Sequence, residues 1–203
     1  MAKNFLQPVR MESQFVESKD HTVLFQASGA NVAVADGTVA SLGGFATDPV
    51  YLAAYTAAGA AASAPVDKNT RYASAPAAAT AVGVGVIDIA GVPTATGNGN
   101  TYRLGSKTIG LTAGAGVPVR FRKLAVDDTF AIGLANCTGP LTAGKYAVLA
   151  TGANAGLWAP ATSAPATDGC YCLVVDSYIV SQGVDGNTSV DGVQAYTLCV
   201  MAN

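Results

Sequence analysis

The chain has 203 residues, of which 12% are charged, 50% are hydrophobic and 23 are glycine, and its formal net charge is -2. Charge at about half the ~25% usual for soluble domains leaves little to keep a bare monomer dispersed, so either the surface is rich in Thr, Ser, Asn, Ala and Gly or much of it is covered by partners in an assembly, and coverage is the reading preferred. A slightly acidic balance argues against a nucleic-acid partner, which needs a basic stripe to neutralise phosphates, and none is expected. No apolar run nears the ~20 residues of a membrane span. The opening MAKNFLQPVRMESQFVESKD has no apolar signal core, so the expectation is synthesis in a cytoplasm, with the four cysteines as thiols.

Residues 1–20 scatter Phe5, Leu6, Val9, Met11, Phe15 and Val16 among polar residues, and Pro8 forbids a continuous helix. Such a segment cannot bury its apolar groups alone. It is either a first edge strand or an extended arm on a neighbouring subunit. Residues 21–203 are expected to form one β-rich domain. Thr22–Ala27 and Asn31–Ala35 read as short strands, with Ser28-Gly29 and Asp36-Gly37 as turns and Gly43-Gly44 closing the region. Residues 47–80 then change character and read as an insertion. Thr47 or Asp48 with Pro49 can start one short helix near 49–58; the alternative is an irregular Ala/Pro-rich excursion, since the polar run Asp67 to Arg71 favours little regular structure.

Val82–Ile89 is a strand, with its glycines marking close packing or a bulge. Gly91–Asn100 is a turn-rich loop, and Thr101–Leu111 holds two strand candidates around Gly105-Ser106. The most legible stretch is Val117–Ala150. Val119 and Phe121 alternate with Arg120 and Arg122, and Phe130, Ile132 and Leu134 alternate with small residues. Asp127-Asp128 and Thr138-Gly139-Pro140 interrupt. Three short strands joined by polar turns predict an antiparallel meander. Leu-Thr-Ala-Gly at 111–114 and again at 141–144 repeats one turn chemistry. Thr151–Gly169, with the single tryptophan Trp158, reads as a loop; Cys170–Val180 and Val193–Met201 are the last strands, joined by Ser181–Gly192. The fold class expected is all-β, an antiparallel barrel or sandwich with long Ala/Gly/Pro-rich loops.

Residues able to carry chemistry are few. His21 is the single histidine and has no evident triad partners. Gly83-Val84-Gly85 lacks the third glycine and following helix of a dinucleotide site. Cys137, Cys170, Cys172 and Cys199 lack the C-x-x-C knuckles of structural zinc and read as core thiols. Asp185, Asn187, Ser189 and Asp191 alternate like the start of a calcium loop, but Val190 stands where that loop needs glycine. A hairpin loop uses the same residues. Neighbouring Asp127 and Asp128 point apart, which disfavours a shared proton. No catalytic, cofactor or metal site is expected. Arg120 and Arg122, with Lys123 beside them, either meet an acidic partner surface or form the solvated face of an edge strand.

Several segments resemble small capsid cement (decoration) proteins of tailed phages. They are Met1-Ala2-Lys3-Asn4-Phe5 followed by a glutamine, the Val82–Val86 strand, Asp127 to Gly133 and Leu141 to Tyr146. The resemblance implies a β-rich domain on the outside of an icosahedral shell, a homotrimer over a symmetry axis and the major capsid protein as partner. It implies a virion location after synthesis in the host cytoplasm. The partner-facing residues expected are Phe5, Leu6, Val9 and Phe15 of the arm, with Arg120 and Arg122. A tail, fibre or cell-surface binding module is the alternative, and an enzyme is not expected.

Overall fold

Short apolar runs broken by Gly, Pro and Asp can hydrogen-bond their backbone only by pairing with distant runs, so the chain folds as sheets. A computed structural model describes residues 4–11, 19–47, 70–89, 94–97, 100–103, 110–166, 168–184 and 187–203. In chain order the strands are β1 Leu6–Arg10, β2 Asp20–Ala27, β3 Ala30–Asn31, β4 Val34–Ala35, β5 Val39–Phe45, β6 Thr70–Ser74, β7 Val84–Asp88 and β8 Thr94–Gly97. There follow β9 Asn100–Arg103, β10 Thr112–Ala113, β11 Val119–Lys123, β12 Thr129–Gly133, β13 Tyr146–Leu149, β14 Trp158–Ala161, β15 Tyr171–Val184 and β16 Asn187–Ala202. The fold is all-β, as composition and periodicity predict.

Two layers hold the core. In the first, β11, β7, β5, β6 and β2 pair in that order, and β11 also pairs with β2, closing a barrel. All of these pairings are antiparallel except β2 with β6. Inside lie Val23, Phe25, Ala40, Ala73, Ile87, Val119 and Phe121. The second layer is a sheet in the order β1-β12-β16-β15-β13-β14, antiparallel throughout. Its inner face carries Leu6, Phe130, Ile132, Leu149, Trp158, Cys172, Val174, Tyr196, Leu198 and Val200, which pack against Val39, Val84 and Val86 on the outside of the barrel wall. The Phe130 and Trp158 rings meet at 6.2 Å.

β7 is therefore a wall shared by both cores, and all five of its residues are buried. A strand covered on both faces needs an unbroken apolar run, which Val84-Gly85-Val86-Ile87 supplies. Gly85 is the close-packed glycine of this strand. A Cβ there would lie 2.4 Å from the Phe121 ring and 2.3 Å from the Arg122 carbonyl oxygen.

The meander does not form. β11 belongs to the barrel, whereas β12 and β13 lie in the sheet with β16 and β15 between them. The turn after β11 is a corner. Asp127 takes a left-handed φ of 71°, and its N–H donates to the Val200 carbonyl (2.9 Å). Asp128 Oδ2 accepts from the Ala125 N–H at 2.8 Å. Sequence alternation locates strands but does not name their partners.

Other expectations are corrected in the same way. Gly43-Gly44 do not end a region; they sit within β5, where the register with β6 shifts between Leu42 and Phe45. Part of the expected insertion, Thr70–Ser74, is a barrel strand, because the outward face of a strand tolerates polar residues. Tyr72 anchors it, its hydroxyl accepting from the Thr47 N–H at 3.0 Å. The helix expected near 49–58 falls outside the described residues. Thr94–Gly97 pairs with β9, where a loop was expected. Trp158 opens a strand instead of riding on a loop, since only the core can cover so large a ring.

Replacing Gly85 by alanine is expected to cost about 3 kcal/mol, because neither the Phe121 ring nor the backbone can withdraw from a wall packed on both sides. Gly44→Ala, with nothing near its Cβ, should cost under about 1 kcal/mol. Urea unfolding of the two variants measures the difference, and equal costs contradict the shared wall.

Candidate interaction surface

The N-terminal segment is the first expected binding element, and it is a strand of this same chain. β1 pairs with β12 from Leu6↔Ile132 to Arg10↔Thr129, and the register shifts between Pro8 and Arg10. Proline is tolerated because β1 is the sheet edge. Two buried polar side chains fix its start. Asn136 Oδ1 accepts from the Phe5 N–H at 3.0 Å, and Asp36 Oδ2 accepts from the Leu6 N–H at 2.8 Å. The other Asp36 oxygen accepts from the Ile89 N–H, and Asn136 Nδ2 donates to the Asp36 carbonyl. Phe5 and Leu6 are buried within the molecule, while Val9, at the register shift, is 57% exposed. Phe15 lies outside the described residues.

Arg120 and Arg122 stand on the outside of the barrel, on a strand with neighbours on both sides. β11 is thus no edge strand, and its arginines are not a freely solvated face. Arg122 Nε donates to Asp88 Oδ2 at 2.7 Å, and both residues are buried. Arg120 reaches Asp20 at 3.4 Å and Asp88 at 3.8 Å with its side chain 44% exposed. Removing one partner from a buried pair strands the other charge, so Arg122 serves the fold, and Arg120 is the one of the two that presents charge outward. Nearby, Arg71 donates from Nε to the Gly43 carbonyl and stacks over Phe45 at 5.3 Å.

Beside this network His21 sits opposite Phe121 in the register, with the rings 6.2 Å apart. Burial lowers its pKa, and the Arg71 charge adds to the effect. Burial raises that of Asp20 against the opposing pull of Arg120 and Arg122. Cys137, Cys170 and Cys172 are buried free thiols; burial pushes Cys137 up to about 12, and burial, with a hydrogen bond that the Cys172 S–H makes to Cys170, raises Cys172 well above the usual thiol range. Cys137 and Cys172 therefore stay protonated and poorly nucleophilic at neutral pH. Among the described residues no three His, Cys, Asp or Glu side chains gather as metal ligands. An open cleft of about 400 Å³ lies between Val82, Pro165, Ala166, Asp168, Tyr171 and Asn203.

The element that the sequence reading missed is a ribbon. β15 and β16 continue past the positions where their sheet neighbours stop. β13 pairs only as far as Leu173, and β12 reaches only to Ala195. From Asp176↔Thr197 to Val184↔Asn187 the two strands pair with each other, and among the described residues nothing pairs with their outer edges over 176–184 and 187–194. At its base Tyr178 and Val180 pack on Val193, Ala195, Ala131 and Phe5. Gln194 ties the two strands, donating to Ser177 Oγ at 2.9 Å. On the ribbon Ile179 is 68% exposed, and Val175 at its root is exposed too.

The loop expected over 181–192, with its calcium-like spacing, is therefore mostly strand. Asn187, Ser189 and Asp191 lie on β16, and Asp185 is outside the described residues. The signal that could have found the ribbon is Asp185-Gly186, a two-residue hairpin pair flanked by β-formers. Gly192 and Asp191 gave the same signal a few residues on and hid it.

No protein-family model, characterised protein or solved structure matches this chain.

The His21 environment gives a pH prediction. A folded-state pKa below the ordinary 6.5 means the folded protein binds fewer protons than the unfolded one. Its contribution is present above about pH 6.5 and is lost as pH falls through the lowered value. Urea midpoints should therefore fall from pH 7.5 to pH 5.5, and His21→Gln should flatten that fall. An unchanged slope in the variant contradicts the assignment. Asp20 acts in a lower window and with opposite sign.

Proposed function

We propose that the chain is a structural protein of a tailed-phage particle, one that binds the outside of the assembled capsid and stabilises it. The observation that carries the reading is the ribbon. A two-stranded ribbon is marginal in water, and edges that no described residue pairs with, beside exposed Ile179 and Val175, are surfaces that proteins normally cover. A chain with 12% charge and a projecting β-ribbon is suited to lying against other subunits. The short segments similar to cement proteins support the same partner, the major capsid protein, and a homotrimer as the binding unit.

The mechanism is mass action. A protein that binds the lattice and not its separated subunits makes disassembly costlier. Several weak contacts made by one oligomer add as avidity. No bond is made or broken in this role.

Mixing the purified protein with emptied capsid shells and sedimenting them tests the reading. Saturable co-sedimentation is expected, with the decorated shells resisting heat better than bare ones. Ile179→Asp is expected to weaken binding at least tenfold with thermal stability nearly unchanged, because an exposed side chain contributes little to folding. Absence of binding to shells, or binding to tails alone, contradicts the proposal.

A further inference from the structure

The groove that β1 occupies is built to receive an extended main chain. Asn136 and Asp36 are both almost wholly buried, and each accepts from a backbone N–H of the strand, not from a side chain. In return the Phe5 carbonyl accepts from the Gly133 N–H at 3.3 Å, and the Asn4 carbonyl accepts from the Gly110 N–H at 2.7 Å. The β12 ladder supplies the remaining main-chain partners. Side-chain sockets fix the register: Leu6 and Met11 enter the main core, and Phe5 enters the small cluster on the far face of the sheet. Two features make this strand separable. Among the described residues it is an edge with a single sheet neighbour, so leaving breaks no other pairing there. The side chains that hold its N–H groups are also remote in sequence, 30 positions away for Asp36 and 131 for Asn136.

We infer that this groove is a strand-accepting site, and that residues 4–11 of a second copy of the chain can occupy it in place of the molecule's own. The second copy is the occupant because its strand matches every socket and every main-chain bond, so each bond lost on departure is remade on arrival. Exchange of an identical element is a low-cost route to an oligomer. Eight residue steps separate Met11 from Lys19, a reach of at most ~28 Å. Donor and acceptor bodies must therefore sit side by side. The inference goes beyond the capsid reading and does not rest on it.

Cross-linking between copies of the full chain tests it. Arg10 and Thr129 are register partners on β1 and β12. Because Thr129 also faces Cys199 across β12 and β16, the variants are made with Cys199→Ser. Arg10→Cys and Thr129→Cys chains are mixed, incubated and mildly oxidised, with Arg10→Cys plus Ala30→Cys as the random-collision control. A disulfide-linked heterodimer at least tenfold above that control, increasing with protein concentration, is expected. Heterodimer at the control level overturns the inference when a chain carrying both Arg10→Cys and Thr129→Cys, the double variant, closes its own disulfide. Failure of the double variant to close overturns it too, since the strand register that defines the groove is then wrong.

Discussion

Four hydrogen bonds around Asp36 and Asn136 hold the parts of this molecule in one arrangement. Asp36 lies in the turn between β4 and β5, and Asn136 in the 3-10 turn after β12. Between them they bind the N–H groups of Phe5, Leu6 and Ile89 and join to each other through the Asp36 carbonyl. The barrel, the exit of its shared wall and the edge of the sheet thus meet at one buried polar point. Gly37 permits it. Its φ is 78°, and a Cβ there would meet Asn136 Nδ2 at 2.7 Å and the Phe5 carbonyl at 2.8 Å. A buried N–H left without its acceptor costs about 1–3 kcal/mol. The loss of Asp36 orphans two of them, a large share of the roughly 5–15 kcal/mol that keeps a domain folded.

A second polar clamp works at the other end of the shared wall. The Asn203 side chain accepts from the Val84 N–H and donates to the Val84 and Leu124 carbonyls. β7 is thus held at both ends and covered on both faces. With the sheet fixed against that wall, β15 and β16 can run on past their neighbours and still start from a rigid base. A ribbon presented in this way is a better docking element than a loose loop, because less ordering entropy is lost on binding.

Fold class and most strand positions were legible because period-two alternation and Gly, Pro and Asp breaks are local signals. Val84 to Asp88, Val119 to Lys123 and Thr129 to Gly133 stand out on that ground alone. Partners were not legible, because pairing is decided by burial against residues far away in sequence. The supposed meander came apart for this reason, with Asp127 turning a corner between layers. Asp36 read as a turn residue and Asn136 as part of an unremarked link, although each reaches 30 or more positions along the chain. Arg122 looked solvent-facing because alternation says which face a side chain takes, not whether Asp88 waits there. The ribbon was hidden by Asp, Asn, Gly and Ser, which serve loops and tight hairpins alike.

Hydrogen exchange at single amides tests the central claim most directly. In the wild-type protein the Leu6 and Ile89 N–H groups, which share the Asp36 carboxyl group, should exchange as slowly as amides of the barrel interior such as Phe121. In Asp36→Ala both should lose protection together while Phe121 stays protected. Fast exchange at Leu6 in the wild-type chain, or loss at Leu6 with Ile89 unaffected, would show that this buried polar point does not hold the two layers together.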